Sequence, residues 1–313
     1  MDRGLTAVGP RRVVIALSLL ICTRDRAESL ARTLRSVTEA AAGASDLGIE
    51  VVIVDNGSID DTAARIAAWR HDQRVAVVVV PEPRAGLARA RNAGLAACRG
   101  RVVAMTDDDC VLHPGYFAAV AARFADVDGP VIVGGRILPG DAADLPVTIK
   151  LEDHPMTAAP GSFPGGFVMG ANMAFTRAVI ATIGDFDARF GGGARFVAAE
   201  DTDFLFRALG RGIPVAYDPG FVVDHHHGRR CPTEVVALLA GYGFGDGALY
   251  AKHLLSDRRV LAAIGQDLRD IVSDLRRDVR PFPYIRRFHL FRFRHKLRGF
   301  LAYLRFARVA AQN

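Results

Sequence analysis

A short apolar run followed at once by three aspartates constrains this chain more than any other feature. The run covers residues 101–106 and begins after Gly100, which predicts a buried strand. Asp107, Asp108 and Asp109 then place three carboxylates at its carboxyl end. Because like charges repel, a fold accommodates this cluster only if a positive charge lies among them. We therefore expect a divalent-metal site with a phosphorylated ligand; an acidic turn before a proline-started helix is the alternative.

The residues before the aspartates alternate between apolar runs and amphipathic segments. The predicted strands are residues 13–20, 50–54 and 75–80. The predicted helices are residues 27–42, 63–70 and 84–97. This alternation is typical of an α/β fold with a mostly parallel central sheet and helices on both faces. Asp25, Asp55 and Asn56 follow two of the strands, so we expect a nucleotide-type pocket where the polar clusters meet.

Beyond residue 129 the pattern is less regular, with many prolines and glycines. Short strands are predicted at residues 131–133, 214–217 and 221–223. Glu200, Asp201 and Asp203 precede a helix at residues 204–209, where acidic side chains also suit a helix N-terminus. Asp203 is expected to have this capping role.

The basic residues are concentrated near the C-terminus. Residues 276–308 contain eleven Lys or Arg and one acid, whereas the rest of the chain has 29 basic and 33 acidic residues. Two amphipathic helices are predicted there, with apolar rows at Val260, Ile264, Leu268, Ile271, Leu275 and Val279 and at Leu290, Phe293, Leu297, Leu301 and Leu304. Apolar rows beside arginines are typical of helices on an anionic membrane surface. Packing on the main domain is the alternative, and no motif supports a nucleic-acid partner.

The cysteines and the N-terminus bear on cellular location. Cys22, Cys98, Cys110 and Cys231 lack paired spacing, which favours reduced thiols in an intracellular compartment. No apolar run is long enough to span a membrane, and no signal peptide is recognised. The prediction is a cytoplasmic protein, peripheral on the inner face of the cell membrane.

Six short motifs, in order and spacing, resemble the family 2 glycosyltransferases. They are Cys22-Thr23-Arg24-Asp25-Arg26, Val54-Asp55-Asn56-Gly57-Ser58, Asn92-Ala93-Gly94, Asp107-Asp108-Asp109, Gly170-Ala171-Asn172-Met173 and Glu200-Asp201. The resemblance implies a GT-A fold, a nucleotide-diphosphate sugar donor, Mn²⁺ or Mg²⁺, and inversion at the anomeric centre. It divides the chain into a catalytic domain at 1–230 and a helical basic region at 231–313. The donor half is about 13–128 and the acceptor half 129–230.

The resemblance also implies roles for single residues on the donor side. Asp109 is expected to bind the metal, with Asp107 and His225 as further ligands; paired carboxylates suit Mg²⁺ or Mn²⁺ better than Zn²⁺. The expected donor contacts are Thr23, Arg24, Asp25, Asp55, Asn56, Arg84, Arg91, Asn92, Asp107 and Asp108. Many family members have Asp where Asn56 stands, which weakens the preference for UDP. An Asx-turn after the strand is the alternative at Asp55 and Asn56, and solvation is the alternative for the arginines.

On the acceptor side, the resemblance makes Asp201 the general base and gives Glu200 an acceptor contact. Gly170, Asn172 and Gly192 are expected in the donor and acceptor loops, with residues 191–193 as a lid.

The resulting hypothesis is a metal-dependent, inverting hexosyltransferase that uses a UDP-sugar and extends a glycan or lipid-linked acceptor in cell-surface polysaccharide synthesis. The alternatives are a nucleotidyltransferase, which needs a glycine-rich loop that Cys22–Arg26 lacks, and a degenerate sugar-nucleotide-binding protein.

Overall fold

The computed structural model describes residues 16–159, 161–276, 282 and 284–310. In chain order the first elements are β1 (Leu17–Thr23), α1 (Ala27–Ala42), β2 (Ile49–Asp55), α2 (Thr62–His71), β3 (Ala76–Pro81), α3 (Leu87–Ala97), β4 (Val102–Asp107), β5 (Cys110–Leu112) and α4 (Tyr116–Arg123). The later elements are β6 (Ile132–Pro139), β7 (Met156–Thr157), β8 (Asn172–Thr176), α5 (Ala178–Ile183), α6 (Glu200–Gly210), β9 (Val215–His225), α7 (Pro232–His253), α8 (Arg259–Arg276) and α9 (Phe288–Ala310). Two predicted positions, the start of the first strand at Val13 and the end of an apolar row at Val279, lie outside the described residues.

The central sheet has the strand order β3-β2-β1-β4-β8-β6-β9-β5, with β7 paired to β9. The first four strands are parallel, whereas β8 runs antiparallel to both of its neighbours. Apolar side chains alternate between two cores, as Leu19 on one face and Leu20 on the other illustrate. One core packs against α1 and α4, and the other packs against α3 and α6. The predicted α/β class is confirmed.

The strand register aligns the polar strand ends. Cys22 of β1 pairs with Asp107 of β4, and Thr23 pairs with Asp55 of β2. Since parallel strands end at the same sheet edge, the loops that follow β1, β2 and β4 are neighbours. The expected convergence of polar loops is therefore present.

One long strand replaces two predicted short ones near residue 220. The sequence pattern predicts strands at 214–217 and 221–223, but β9 runs without a break from Val215 to His225. The pairing of β9 with β6 shifts register between Gly134 and Arg136, so the irregular segment after Tyr217 bulges out of the ladder without ending β9. The end of β9 pairs antiparallel with β5, so that His225 lies opposite Cys110, the residue after Asp109. This pairing brings His225 to the acidic strand end.

Helix α7 packs against α9 at unusually short range. Glycines on the contact make this possible: a Cβ at Gly247 would collide with the carbonyl oxygen of Lys296, and one at Gly299 with that of Phe244. Lys296 is buried at the same contact, where its ammonium lies 2.7 Å from Asp267 of α8. The C-terminal helices therefore pack on the rest of the molecule, as the alternative from the sequence expected.

The opposite side of α8 and α9 carries exposed apolar residues. On α9 the predicted row is in water at Leu297, Leu301 and Leu304, which are 49, 44 and 39% exposed. Leu268 on α8 is 50% exposed, whereas Val260 of the same predicted row is fully buried. None of the described helices is long and apolar enough to cross a membrane.

A buried carboxylate fixes α6 to the end of α7. Asp203 accepts hydrogen bonds from Lys252 at 2.6 Å, from His253 at 2.8 Å and from Arg207 at 2.9 Å. Burial alone would raise the pKa of Asp203, but the hydrogen bond from His253 and the charges of Lys252 and Arg207 lower it to about 2. Asp203 lies in the first turn of α6, where its charge suits the helix N-terminus as expected, and its side chain is also the centre of an ion-pair network.

We expect Gly247→Ala to lower the free energy of unfolding by about 2 kcal/mol, because the added methyl group overpacks the α7–α9 contact. Gly241→Ala on the same helix is the matched control. Its methyl group would lie 3.6 Å from Val197, an ordinary contact, and alanine favours helix by roughly 1 kcal/mol. Urea unfolding of both variants checks this. Equal effects at the two positions would contradict the packing.

We also expect Asp203 to make stability depend on pH. Its folded pKa of about 2 lies below the unfolded value, so its contribution is complete well above pH 4 and is lost as the pH falls towards 2. The difference in unfolding free energy between wild type and Asp203→Asn should shrink by about 1 kcal/mol from pH 5 to pH 3. Asp46→Asn, at an exposed carboxylate, is the control. A difference that stays constant with pH rules out the ionised network.

Candidate active site

A cavity of about 650 Å³ lies at the carboxyl ends of β1 and β4, between these strand ends and α6 and α7. Most of the residues predicted for the site line it: Thr23, Arg24, Asn56, Arg91, Asp107, Asp108, Asp109, Gly170, Gly192, Glu200, Asp201 and His225. The fold therefore brings donor-side and acceptor-side residues, which are up to 200 positions apart in the chain, into one cavity.

Five predicted residues do not line this cavity. Four of their side chains bind backbone groups, and the fifth, Arg84, pairs with a neighbouring carboxylate. The carboxylate of Asp25 accepts from the backbone N–H of Ile59 at 2.7 Å, and that of Asp55 accepts from Ser58 at 2.9 Å. The second contact is a local side-chain-to-backbone bond three residues along the chain, one residue longer than the Asx-turn considered from the sequence. The exposed guanidinium of Arg84 pairs with Glu82 at 2.9 Å.

The other two are asparagines that connect distant segments. Asn92 of α3 exchanges two hydrogen bonds with the backbone of Phe186, at 2.8 and 3.0 Å. Asn172 at the start of β8 donates to the carbonyls of Arg136 and Phe221 and accepts from Tyr116. Asn92 therefore connects α3 to the segment after α5, and Asn172 connects β8 to β6 and β9.

Asn56 lies in the cavity wall, and its amide is used within the protein. Its Nδ2 donates to the carbonyls of Glu82 and Arg84 at 2.7 and 2.8 Å, and its Oδ1 accepts from Gly86 at 2.9 Å. The side chain therefore fixes the loop between β3 and α3, which forms one side of the cavity.

The predicted metal ligands Asp109 and His225 face each other. Asp109 Oδ1 is buried and lies 3.2 Å from His225 Nε2, and among the described residues it has no hydrogen-bond partner of acceptable geometry. The other ring nitrogen, Nδ1, lies 3.0 Å from the carbonyl of Thr148, which fits a ring whose Nε2 is directed at the carboxylate. Among the described residues, Asp109, Cys110 and His225 offer ligand atoms within 4.8 Å of one another.

This arrangement fits a divalent cation. A buried carboxylate oxygen without a partner, beside an imidazole nitrogen, is a pair of ligands for Mn²⁺ or Mg²⁺. Burial raises the pKa of the Cys110 thiol well above its usual value, so the third group is a protonated sulfur that such hard ions bind poorly. Asp107 is partly exposed in the same cavity, and its carboxylate is a hard oxygen ligand that suits these ions better than the thiol does.

Arg26 compensates the acidic strand end. Its guanidinium donates to Asp109 Oδ2 at 2.7 Å and lies 3.3 Å from Asp108. Thr23 donates to Asp108 at 2.7 Å. Burial, with a smaller contribution from the neighbouring carboxylates, still raises the pKa of Asp108 to about 7.

A second guanidinium compensates the acids on the other side. Arg91 of α3 is buried and lies 2.9 Å from Glu200 and 3.7 Å from Asp107. Its head packs so closely on Gly170 that any side chain at that position would collide with it. Burial, then the charge of Asp201, raises the pKa of Glu200 to about 7.

Asp201 is held at the first turn of α6. Its Oδ2 accepts from the backbone N–H of Gly170 at 3.2 Å, and its Oδ1 accepts from that of Thr202 at 2.7 Å. Ala199, just before the helix, has a left-handed backbone with φ of 70°. A non-glycine residue in that conformation is strained, which is characteristic of functional loops.

The residues that sequence reasoning missed come mostly from the C-terminal region. Leu238, Leu239, Tyr242 and Asp246 of α7 line the cavity, as do Arg229 and Arg292. Arg292 belongs to α9 and lies 2.9 Å from Asp246. Residues 241–247 alternate glycine with Tyr242, Phe244 and Asp246, and this pattern gives no helical signal. The polar residues within it were the available sign of a site.

Two glycosyltransferases are similar to this chain in sequence. A pre-mycofactocin glycosyltransferase from Mycobacterium tuberculosis is 26% identical over 246 residues, which are 76% of this chain and 48% of that protein. The chain thus spans about half the length of that relative. A glucosyl-dolichyl phosphate glucuronosyltransferase from Haloferax volcanii is 26% identical over 222 residues, 67% of this chain and 68% of the other.

A solved structure has the same fold. It is the mannosyltransferase PcManGT from Pyrobaculum calidifontis in complex with GDP-Man and Mn²⁺, with a TM-score of 0.62 and 17% identity over 92% of this chain and 86% of that one. This likeness confirms the predicted GT-A fold.

The sequence pattern of Glycosyl transferase family 2 matches residues 18–184, more than half of the chain. That segment contains the acidic strand end and the Arg91 helix, both of which contribute to the cavity. With this match the resemblance seen in the six motifs is confirmed, and the chain belongs to the family 2 glycosyltransferases.

Proposed function

We propose that this protein is a metal-dependent, inverting glycosyltransferase that moves a sugar from a nucleotide-diphosphate sugar to the hydroxyl of a glycan or a lipid-linked acceptor. The observation that carries the proposal is the single cavity lined by two separate acidic groups. Asp109 and His225 lie on one side, and Glu200 and Asp201 come from the start of α6. Inverting transfer needs both a site for the leaving diphosphate and a base beside the acceptor.

Asp109 and His225 would hold Mn²⁺ or Mg²⁺, with Asp107 as a further ligand. A bound divalent ion would neutralise charge on the leaving nucleoside diphosphate. The unpartnered Asp109 Oδ1 and its distance of 3.2 Å to His225 support this assignment. The similar PcManGT structure contains Mn²⁺ with its donor.

The donor would lie against the wall formed by Thr23, Arg24 and Asn56. Thr23 is the last residue of β1 and Arg24 follows it, and the loop held by Asn56 lies beside them. Asp25, Asp55, Arg84 and Asn92 would act on the donor only by shaping these loops. UDP is the expected nucleotide from the sequence, whereas PcManGT is in complex with GDP-Man, so both nucleotides belong in the test.

Asp201 would take the proton from the acceptor hydroxyl. Its carboxylate accepts two backbone N–H groups, which hold it in one orientation at the cavity wall. Glu200 would contact the acceptor. Burial raises its pKa to about 7, and its carboxylate lies 2.9 Å from the guanidinium of Arg91. Arg91 positions Glu200 and keeps α3 and α6 together.

The acceptor would enter beside α7, where Leu238 and Leu239 give the cavity an apolar side and Tyr242 a polar one. An apolar wall suits an acceptor attached to a lipid. A relative named as a glucosyl-dolichyl phosphate glucuronosyltransferase is consistent with this class. Synthesis of a cell-surface polysaccharide is the proposed role.

The C-terminal helices would place the enzyme on the cytoplasmic, inner face of the membrane. Leu297, Leu301 and Leu304 form an exposed row on α9, next to arginines at positions 294, 298 and 305. α8 and α9 are antiparallel, since Asp267 pairs with Lys296 and Asp274 accepts from His289. On α9 the exposed leucines are three or four residues apart and therefore share one face of the helix. Such a face binds anionic lipid surfaces.

The transfer assignment is tested by two variants. Asp201→Asn should keep donor binding and lower the transfer rate at least a hundredfold, because a general base contributes roughly 10²–10⁴-fold. Asp109→Ala should lose the metal-dependent part of donor binding. Donor binding is measured by thermal shift with UDP-, GDP- and dTDP-sugars, with and without Mn²⁺, and transfer by release of the nucleoside diphosphate.

Each outcome separates the alternatives. Equal transfer rates for wild type and Asp201→Asn would remove Asp201 as the base. No Mn²⁺-dependent shift with any donor would overturn the metal assignment, and donor binding without any transfer would favour a degenerate sugar-nucleotide-binding protein.

The membrane location is tested with Leu297→Ser/Leu301→Ser/Leu304→Ser. Since these side chains are in water, the melting temperature should change little, whereas binding to phosphatidylglycerol vesicles should weaken at least tenfold. Ile59→Ser/Leu151→Ser, which removes exposed apolar residues elsewhere, is the control in vesicle sedimentation. If the α9 variant and the control sediment equally, the membrane face is wrongly assigned.

A further inference from the structure

A second cavity, of about 550 Å³, lies at the start of α9, formed by residues other than those of the catalytic cavity. Four guanidinium groups line it, from Arg286, Arg287, Arg294 and Arg298. Its apolar wall includes Leu290 and Phe291. None of the described residues that line it is acidic.

The arginines of this cavity differ from the cations on the other side of the same helix. Arg292 and Lys296, which face the protein, are paired with Asp246 and Asp267. Arg294 and Arg298 form no ion pair with any described residue, and both are exposed. Cations without an acidic partner in the described part of the chain, grouped around one concave surface, form a site for an anion.

The neighbouring histidine responds to this concentration of charge. His295 lines the same cavity, and its pKa is lowered first by burial and then by Arg298 and Arg294. A nearby carboxylate would have the opposite effect. The guanidinium groups of this cavity therefore disfavour a further positive charge on His295.

The cavity adjoins the exposed leucine row. Arg294 and Arg298 lie three residues before Leu297 and Leu301, respectively, so each arginine is next to a leucine on the helix surface. An ion from solution would use only the guanidinium groups. A lipid would use both features, with its phosphate among the arginines and its hydrocarbon beside the leucines.

We propose that this second cavity binds the phosphate of an anionic membrane lipid, and so gives α9 a specific headgroup site as well as an amphipathic surface. The inference rests on the proposed membrane location. Guanidinium groups bind phosphates and carboxylates alike through pairs of parallel hydrogen bonds, but a phosphate group has more oxygens and can be shared by several of the guanidinium groups in this cavity.

The test uses the full chain and three sets of vesicles in phosphatidylcholine, matched for surface charge. One set contains phosphatidic acid, one phosphatidylglycerol, and one a fatty acid that carries a carboxylate. Arg294→Gln/Arg298→Gln is the variant, and Arg65→Gln/Arg70→Gln on α2 is the control with the same loss of charge. Binding is measured by vesicle sedimentation, and donor binding by thermal shift.

We expect wild type to bind both phospholipid sets at least fivefold more tightly than the carboxylate set. The α9 variant should bind phosphatidic acid about thirtyfold more weakly and lose this preference, and the control should bind within twofold of wild type. Both variants should keep wild-type donor binding, because none of the four arginines lines the catalytic cavity.

Two results would overturn the headgroup site. One is an α9 variant that binds like the control; the other is equal binding of wild type to phosphate and carboxylate vesicles, which would indicate diffuse attraction only. Inorganic phosphate that binds the protein while the vesicles do not would assign the cavity to a free anion instead. Wild type that binds no vesicle at all would contradict the membrane location, whereas the donor thermal shift tests transfer separately.

Discussion

The active site depends on compensating several carboxylates at one sheet edge. Asp107, Asp108 and Asp109 meet Glu200 in a cavity whose walls exclude much of the solvent, and charges of one sign cannot be buried together without counter-charge. Two guanidinium groups provide it within the chain, Arg26 on one side and Arg91 on the other. Because Arg91 comes from α3 and Glu200 from α6, the same ion pair that neutralises the site also connects these two helices.

The sequence predicted the donor half well, since its signals are local. Each strand there is a continuous apolar run, and each polar cluster follows directly, so the pattern along the chain is also the pattern in space. The features that could not be predicted depend on contacts between residues far apart in the chain. The pairing of β5 with β9, which brings His225 to Asp109, cannot be deduced from two short apolar runs, and the continuity of β9 depends on β6. Asn92 and Asn172 matched family motifs, yet their amides hold backbone rather than line the cavity.

Helix α7 shows why the acceptor side was harder to predict. Alternate glycines are unfavourable in a helix, and the cost is recovered only through contact with α9, some fifty residues later. Where glycine removes the side chain, two backbones approach and orient the remaining residues. Tyr242 and Asp246 then face the catalytic cavity. A propensity that argues against the helix in isolation is therefore part of what positions the site.

Helix α9 contributes to three surfaces at once: Arg292 lines the catalytic cavity, Gly299 contacts α7, and Leu301 is in water. A chain shortened before residue 288 would therefore lose Arg292 from the lining of that cavity and expose the glycine face of α7. Weak activity of such a fragment would report a dismantled site rather than the absence of a membrane. In this protein helix α9 is therefore part of the cavity lining and of the packed interior.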